Sequence, residues 1–253
     1  MYVVYSGYDV HMAAKKNTDE RSIWERLENP APSPRPSLSA LKFARTAVEV
    51  ADAEGLDAIT MRRLATELDV APMAAYRYVN GKDEVLLLMS DLVYTELEIP
   101  GPGLGWREVH RLVALRTREL LLRHPWLVRL PPEAVMTPSP NRLNVSERCM
   151  ASFDGLDIDA DVKMAAFRTV DSYTGGAAGT EVAIAGLMVG RGWASGDEVR
   201  GGLAPQMSYL TATGRYPSFH AWAMEAKRKD DRAWQFELGL ECILDGLAAR
   251  LGI

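Results

Sequence analysis

The sequence predicts an all-α protein, with a small helical amino-terminal domain followed by a larger helical bundle. Apolar residues recur at helical spacing almost throughout residues 39–251, and the alternation typical of strands is scarce. A Pro- and Gly-rich segment at residues 100–105 separates the two helical regions. The 253 residues, of which 47% are hydrophobic, are enough to bury a sizeable core.

The amino-terminal segment, residues 1–36, is predicted to be a flexible arm. Prolines at 30, 32, 34 and 36 lack amide donors, so they exclude a helix or a central strand and favour a semi-extended linker. Residues 19–28 could form a short helix that carries Ile23 and Trp24. The remaining chain then divides into a first domain at 37–99 and a second domain at 105–253.

Four helices are predicted in the first domain. Ser39 caps the first of them, which ends at Gly55. Thr60 caps a short second helix. A third helix begins with Pro72 in its first turn and ends near Asn80-Gly81, and a fourth covers residues 82–97.

Longer helical segments are predicted in the second domain: 105–123, 139–153, 159–190, 197–212, 217–227 and 231–251. The last segment carries one apolar stripe: Phe236, Leu240, Ile243, Leu244, Leu247 and Leu251. Core packing alone would explain this stripe.

Composition excludes several classes of protein. The net charge of −5 lacks the basic signature of a whole domain devoted to nucleic acid, so any DNA contact must come from a local patch. Cys149 and Cys242 lie in apolar helical context and are predicted to be buried, reduced thiols of a cytoplasmic protein. The longest apolar run, 175–190, is interrupted by Glu181 and is too short to span a bilayer.

No catalytic or metal-binding constellation is visible in the sequence. The four histidines show no metal-ligand spacing and are interpreted as ordinary surface or core residues. Nothing assembles a nucleophile, a base and an oxyanion hole, so we predict no enzyme activity, no metal and no cofactor.

The strongest motif lies at residues 60–82, where two short helices flank a tight turn. Its apolar positions follow helix-turn-helix spacing: Leu64, Ala65, Leu68, Val70, Ala75 and Val79. The segment contains four basic and two acidic residues, a local charge of +2 within an acidic chain. An ordinary helical hairpin would share the periodicity, but the outward hydroxyl, ammonium and guanidinium groups favour a DNA-binding motif.

The segment 38–97 resembles the DNA-binding domain of TetR-family repressors. The matching stretches are VEVADAEGLDAITMRRLATELDV and PMAAYRYVNGKDEVL. Residues 124–127 (HPWL), 171–173 (DSY) and 236–247 resemble the tetracycline-repressor-like carboxy-terminal domain of an actinobacterial branch that includes antibiotic-efflux repressors. The fold that this resemblance implies is a three-helix helix-turn-helix DNA-binding domain joined to a helical ligand-binding and dimerisation bundle.

The resemblance also implies roles on DNA. Arg62 would read a base, and Arg77 would reach the backbone or a base. The tip of the recognition helix would be Pro72, Met73 and Ala74. Phosphates would be bound by Thr60, Tyr76, Tyr78 and Lys82. Arg35 could enter a minor groove, although an arm that packs on protein is an equally good interpretation.

In the second domain the resemblance implies a ligand pocket inside the bundle. Candidate lining residues are polar or soft side chains in apolar helices: Trp126, Asn141, Asn144, Met150, Phe167, Asp171 and Thr174. The helices at 159–190 and 231–251 would form a dimeric four-helix interface.

These observations predict a homodimeric transcriptional repressor that binds a pseudopalindromic double-stranded DNA operator and is released by a small-molecule effector, with an antibiotic as one candidate. No membrane partner is expected. Two alternatives stay open: a helical enzyme or small-molecule carrier with a degenerate helix-turn-helix, and an activator.

Overall fold

A computed structural model describes residues 21–29 and 38–253, and every regular element among them is a helix. The first five helices are α1 (Ile23–Glu28), α2 (Ala40–Glu54), α3 (Met61–Glu67), α4 (Pro72–Ala75) and α5 (Lys82–Val93). The others are α6 (Trp106–Arg123), α7 (Pro132–Met136), α8 (Pro140–Ala151), α9 (Ala160–Arg191), α10 (Gly196–Ala212), α11 (Pro217–Glu225) and α12 (Arg232–Leu251). The predicted all-α fold is confirmed.

Local hydrogen bonds explain where the first helices begin and end. The Ser39 hydroxyl accepts from the Lys42 amide at 3.2 Å, and the Thr60 hydroxyl accepts from the Arg63 amide at 3.1 Å. Gly55 follows α2 at φ +87°, a conformation that side-chain-bearing residues rarely adopt. The sequence predictions of both caps and of the stop are therefore confirmed.

The core of the first domain lies between α2 and α5. Phe43, Ala44 and Ala47 of α2 are fully buried, as are Val85 and Met89 of α5. Leu41 lies one helical turn before Ala44 but is exposed. Its position in the first turn of α2 leaves it beside a groove near α1 and α8.

The second domain is built around α6, which packs against α8, α9 and α12. Phe236, Leu240 and Leu244 of α12 are buried within the single chain. These three residues therefore belong to the subunit core, which corrects their expected place in a dimer interface. Cys149 is buried as predicted, but Cys242 is exposed because it lies on the outer face of α12.

A close approach joins α9 to α12. The Tyr173 hydroxyl donates to the Phe236 carbonyl at 2.8 Å, directly over Gly239. A side chain at position 239 would collide with the Tyr173 hydroxyl, so glycine permits the contact. Arg118 of α6 adds a bidentate pair to Glu181 of α9, at 2.8 and 2.7 Å.

Part of the predicted arm is an ordered, packed helix. Ile23 of α1 is buried, Trp24 donates from Nε1 to the Pro138 carbonyl at 3.1 Å, and Arg26 pairs with Glu84 of α5. The short helix predicted within residues 19–28 is confirmed over Ile23–Glu28, where apolar burial and a capping box stabilise it. Residues 1–20 and 30–37, including Arg35, lie outside the described residues.

Across the described parts of the chain, no helix combines the length and the apolar character required to cross a bilayer.

Candidate nucleic-acid interface and effector pocket

The turn between α3 and α4 is held by backbone hydrogen bonds. The Leu68 amide donates to the Leu64 carbonyl at 3.1 Å, and the Val70 amide donates to the Ala65 carbonyl at 2.9 Å. Asp69 between them has φ +51°, a left-handed conformation that Asp tolerates better than most residues. The turn therefore sets α4 at a defined angle to α3, as a helix-turn-helix requires.

The recognition helix is shorter than predicted. Regular α-helix covers only Pro72–Ala75, and the chain then tightens into bonds between residues three apart. The Arg77 amide donates to the Ala74 carbonyl at 3.2 Å, and the Tyr78 amide donates to the Ala75 carbonyl at 2.9 Å. This tighter winding accompanies complete burial of Val79, which ends the segment.

The outer surface of this motif is exposed to solvent. Met73 at the tip is 78% exposed, and Tyr76 is exposed beside it. Within the described residues, no ion pair is found for the exposed side chains of Arg62, Arg77 or Lys82. These cations are therefore available to an external polyanion.

Adjacent arginines in α3 behave differently. Arg63 is paired with Glu54 of α2 at 2.8 Å and with Glu67 at 2.9 Å, so its charge is engaged within the domain. Arg62 points to solvent and is exposed. Of the two, Arg62 is the one without a carboxylate partner among the described residues, and its predicted role in base reading stays a prediction.

Tyr78 differs from the other predicted phosphate ligands. Its ring stacks on Phe43 of α2 with centroids 5.8 Å apart, and the side chain is half-buried. A structural role in anchoring the recognition segment therefore accompanies any DNA contact. Thr60, Pro72 and Ala74 lie on or beside the same outer surface. Their DNA-binding roles stay predictions.

A narrow cavity lies in the second domain between α6, α8 and α9 and has a volume of about 10 Å³. The residues that line it are His110, Val113, Ala114, Thr117, Cys149, Phe167, Val170, Asp171 and Thr174. Three residues predicted from the sequence, Phe167, Asp171 and Thr174, lie in this wall. That space is about enough for one water molecule and is far below the roughly 300–1,000 Å³ typical of small-molecule sites, so a ligand must separate the helices.

The other four predicted pocket residues lie outside this wall. Trp126 donates from Nε1 to Asp52 at 2.7 Å, and Asn141 donates from its side chain to Asp91 at 2.7 Å. Both side chains are thus engaged where the two domains meet. Asn144 is exposed, and Met150 is half-buried outside the wall. Sequence reasoning selected polar residues in apolar helices, but without the tertiary structure it could not distinguish a cavity wall from a domain contact.

His110 is one of the six wall residues that the sequence interpretation missed. It is 1% exposed, and its Nδ1 lies 2.8 Å from the Trp106 carbonyl. Burial, with a smaller contribution from the Arg148 charge, lowers the pKa of His110, although the Trp106 carbonyl opposes this. His110, Val113, Ala114 and Thr117 follow a spacing of three, four and seven, a signal that places the histidine on the inner face of α6.

Two further groups in the wall have shifted pKa values. Burial raises the pKa of the Cys149 thiol to about 12, so the sulfur stays protonated at neutral pH. Desolvation raises the pKa of the Asp171 carboxyl, and the nearby Arg142 charge opposes this shift. The pocket is thus mostly apolar with a few polar groups, an arrangement suited to a small molecule.

The two domains meet at a polar contact just beyond α6. His124 follows the last residue of this helix, and its Nδ1 lies 2.8 Å from Asp52 of α2. The same carboxylate accepts from Trp126. Helix α6 therefore connects the cavity wall to the helix that supports the DNA-facing motif.

A helix-turn-helix with an exposed basic surface, joined to a helical domain with its own cavity, defines a DNA-binding regulator. Residues 99–251 match the family described as tetracyclin repressor-like, C-terminal domain. The HTH-type transcriptional repressor DrrR1 of Streptomyces coeruleorubidus is 32% identical over 234 residues, which cover 89% of this chain and 83% of the relative. The chain therefore belongs to the TetR family of transcriptional regulators.

Solved structures agree with this assignment. The apo crystal structure of ActR from Streptomyces coelicolor is similar with a TM-score of 0.67 and 30% identity, covering 88% of this chain and 99% of ActR. ActR in complex with actinorhodin gives a TM-score of 0.70 at 29% identity, covering 86% of this chain and 99% of ActR.

Proposed function

We propose that the chain is a homodimeric transcriptional repressor that leaves its operator when a small molecule occupies the cavity. The observation that carries this proposal is the exposed tip of the helix-turn-helix with three cations that have no partner among the described residues. This role is regulatory rather than catalytic, and operator DNA places the protein in the cytoplasm.

On DNA, each subunit would insert the segment from Pro72 to Tyr78 into a major groove. Arg62 would donate its two N–H groups to a guanine, while Tyr76 and Lys82 contact phosphates. The tip offers Met73 and Ala74, which lack hydrogen-bonding side chains. Contact with thymine methyl groups and DNA shape would therefore supply the rest of the specificity.

A second subunit would cover apolar surface that one chain leaves open. Large side chains are exposed on α9 and α12: Leu187, Val189, Trp234 and Leu238. In addition, α10 and α11 have no buried residue in the described chain. Two-fold pairing through these surfaces would set two reading heads on the half-sites of a pseudopalindrome.

Effector binding would act through α6. His110 and His124 are 14 residues apart, so about 21 Å of helix connects the cavity to the contact with Asp52. Because the cavity is narrow, a ligand that enters it would separate α6 from α9 and so displace α6. The ligand would thereby favour a conformation in which the reading heads no longer match the operator.

A gel-shift experiment with the DNA upstream of the protein's own gene tests this function. We expect a retarded complex that disappears when a suitable small molecule is added, beginning with actinorhodin because ActR is found in complex with it. The variant Arg62→Ala should lose this complex. Arg215→Ala is its matched control, because it removes one exposed positive charge from the loop between α10 and α11, away from the motif.

Failure of the wild-type protein to bind upstream DNA at low salt would contradict the proposal. If Arg62→Ala and Arg215→Ala each lost binding to the same extent, the loss would instead indicate a nonspecific charge effect.

A further inference from the structure

We propose that the effector carries a hydroxyl group that donates a hydrogen bond to Nε2 of His110, so that the pocket selects hydrogen-bond donors. This inference rests on the proposed function, since it takes the cavity as the effector site, and it adds the chemical class of the ligand.

The hydrogen bonds of the ring determine the protonation of His110. The Trp106 carbonyl, 2.8 Å from Nδ1, can only accept a hydrogen bond, so Nδ1 carries the proton. In a neutral imidazole the other nitrogen then has a lone pair and accepts. Burial within the core of the second domain favours this neutral form.

This acceptor is left without a partner. Nε2 is buried, and within the described residues no group lies at hydrogen-bond distance from it. His110 itself lines the cavity. Because an unsatisfied buried polar atom costs free energy, a ligand hydroxyl that donates to Nε2 adds stabilisation.

Neighbouring groups in the wall have the same polarity. Thr174 donates its hydroxyl to the Val170 carbonyl at 2.8 Å, so toward the cavity its oxygen has only lone pairs. The His110 imidazole and the Thr174 hydroxyl therefore both favour a donor from the ligand, and a molecule that only accepts would leave them unpaired.

The remaining wall limits the shape of the ligand. Val113, Ala114 and Val170 are apolar, and Phe167 presents an aromatic side chain. The effector class is therefore a compact apolar or aromatic molecule with at least one free hydroxyl, such as a phenol. The same skeleton with its hydroxyl methylated should be rejected, since the ether oxygen would face an acceptor.

The probe pair 2-naphthol and 2-methoxynaphthalene tests this inference by isothermal titration calorimetry on the full chain. We expect wild-type protein to bind 2-naphthol roughly tenfold more tightly than the ether. In His110→Phe the two affinities should agree within about twofold, because the acceptor is gone. His110→Gln, whose amide oxygen can accept, should retain part of the preference.

Two controls separate the hydrogen bond from changes in shape or folding. His220→Phe makes the same substitution at an exposed histidine of α11 and should leave the preference unchanged. If His110→Phe does not fold, ¹⁵N NMR of the wild-type imidazole replaces it. The Nε2 resonance should then move with 2-naphthol and stay in place with the ether, while Nδ1 keeps its proton.

Equal binding of both probes, a preference that persists in His110→Phe, or no binding of either probe at millimolar concentration would overturn the inference. Operator binding without probes is measured in parallel. A protein that binds its operator but does not discriminate between the probes retains the proposed function without this ligand class. A protein that discriminates between the probes but does not bind DNA has the proposed ligand class without the proposed repressor function.

Discussion

At the scale of single residues, Arg62 and Arg63 form a natural comparison, since they are adjacent and only one is engaged by carboxylates. We expect Arg62→Ala to weaken specific operator binding by about 1–3 kcal/mol and to relax the preference at one base pair of each half-site. Arg63→Ala should change stability more than base preference. Binding to a series of half-site mutants measures both effects, and unchanged discrimination in Arg62→Ala would remove this residue from base reading.

Phosphate contacts should behave differently from base contacts. We expect Tyr76→Phe and Lys82→Ala to weaken binding to all DNA sequences by similar factors, because phosphates carry no direct sequence information. Lys82→Ala should also reduce the salt slope of binding by about one unit. Titrations at several salt concentrations test this, with Lys227→Ala as a control at an exposed lysine outside the motif. A change in base preference larger than the change in affinity would contradict these roles.

His110 should make stability depend on pH. Its pKa in the folded protein lies below the ordinary value of about 6.5 because burial disfavours the charged ring. Between these two pKa values the unfolded chain binds more protons than the folded chain, so stability is lost as the pH falls below about 6.5. We expect the melting temperature to drop less in His110→Phe than in wild type between about pH 7.5 and 5.5. Parallel pH profiles for the two proteins would show that His110 does not contribute.

At the scale of helices, α12 presents two faces with different roles. Leu244 is fully buried in the subunit, whereas Leu238 is 49% exposed. We expect Leu238→Glu to produce monomers, because the carboxylate would be buried against the second subunit. Leu244→Ala should instead lower stability by about 2–5 kcal/mol and leave the dimer intact. Light scattering at micromolar concentration measures the assembly, and a dimeric Leu238→Glu would move the interface elsewhere.

Long helices could be predicted from the sequence, because many apolar positions repeat within each one. The predicted segments 105–123 and 231–251 differ by one residue at the start from α6 and α12. The recognition segment after Pro72 could not be predicted equally well, since its winding depends on how Val79 enters the core.

The two candidate sites also differ in how far they could be predicted from the sequence. The outward residues of the helix-turn-helix follow from local spacing, which one short motif contains. The cavity depends on three helices that are distant in sequence, so His110 and Asn141 could not be assigned to a wall or a domain contact in advance. Similarly, the apolar stripe of α12 did not reveal which chain covers it.

At the scale of the whole molecule, α1 connects the two domains. Trp24 donates to a carbonyl just before α8, and Arg26 pairs with Glu84 of α5. We expect Trp24→Ala to lower the free energy of unfolding by about 1–3 kcal/mol, through lost packing and one lost hydrogen bond. Urea denaturation measures this, with the exposed Glu28→Ala as control. Identical urea midpoints for Trp24→Ala and wild type would show that α1 does not stabilise the folded protein.

Two helices, α10 and α11, bury none of their residues in the described chain, and their exposed apolar side chains include Leu203, Tyr209, Trp222 and Met224. Pairing is thus expected to add to the stability of each folded subunit, with few isolated wild-type subunits at equilibrium. In a cell this makes the protein genetically vulnerable. A subunit with an intact bundle and a defective recognition helix would recruit normal subunits into mixed pairs, and such an allele would be dominant-negative over the wild type.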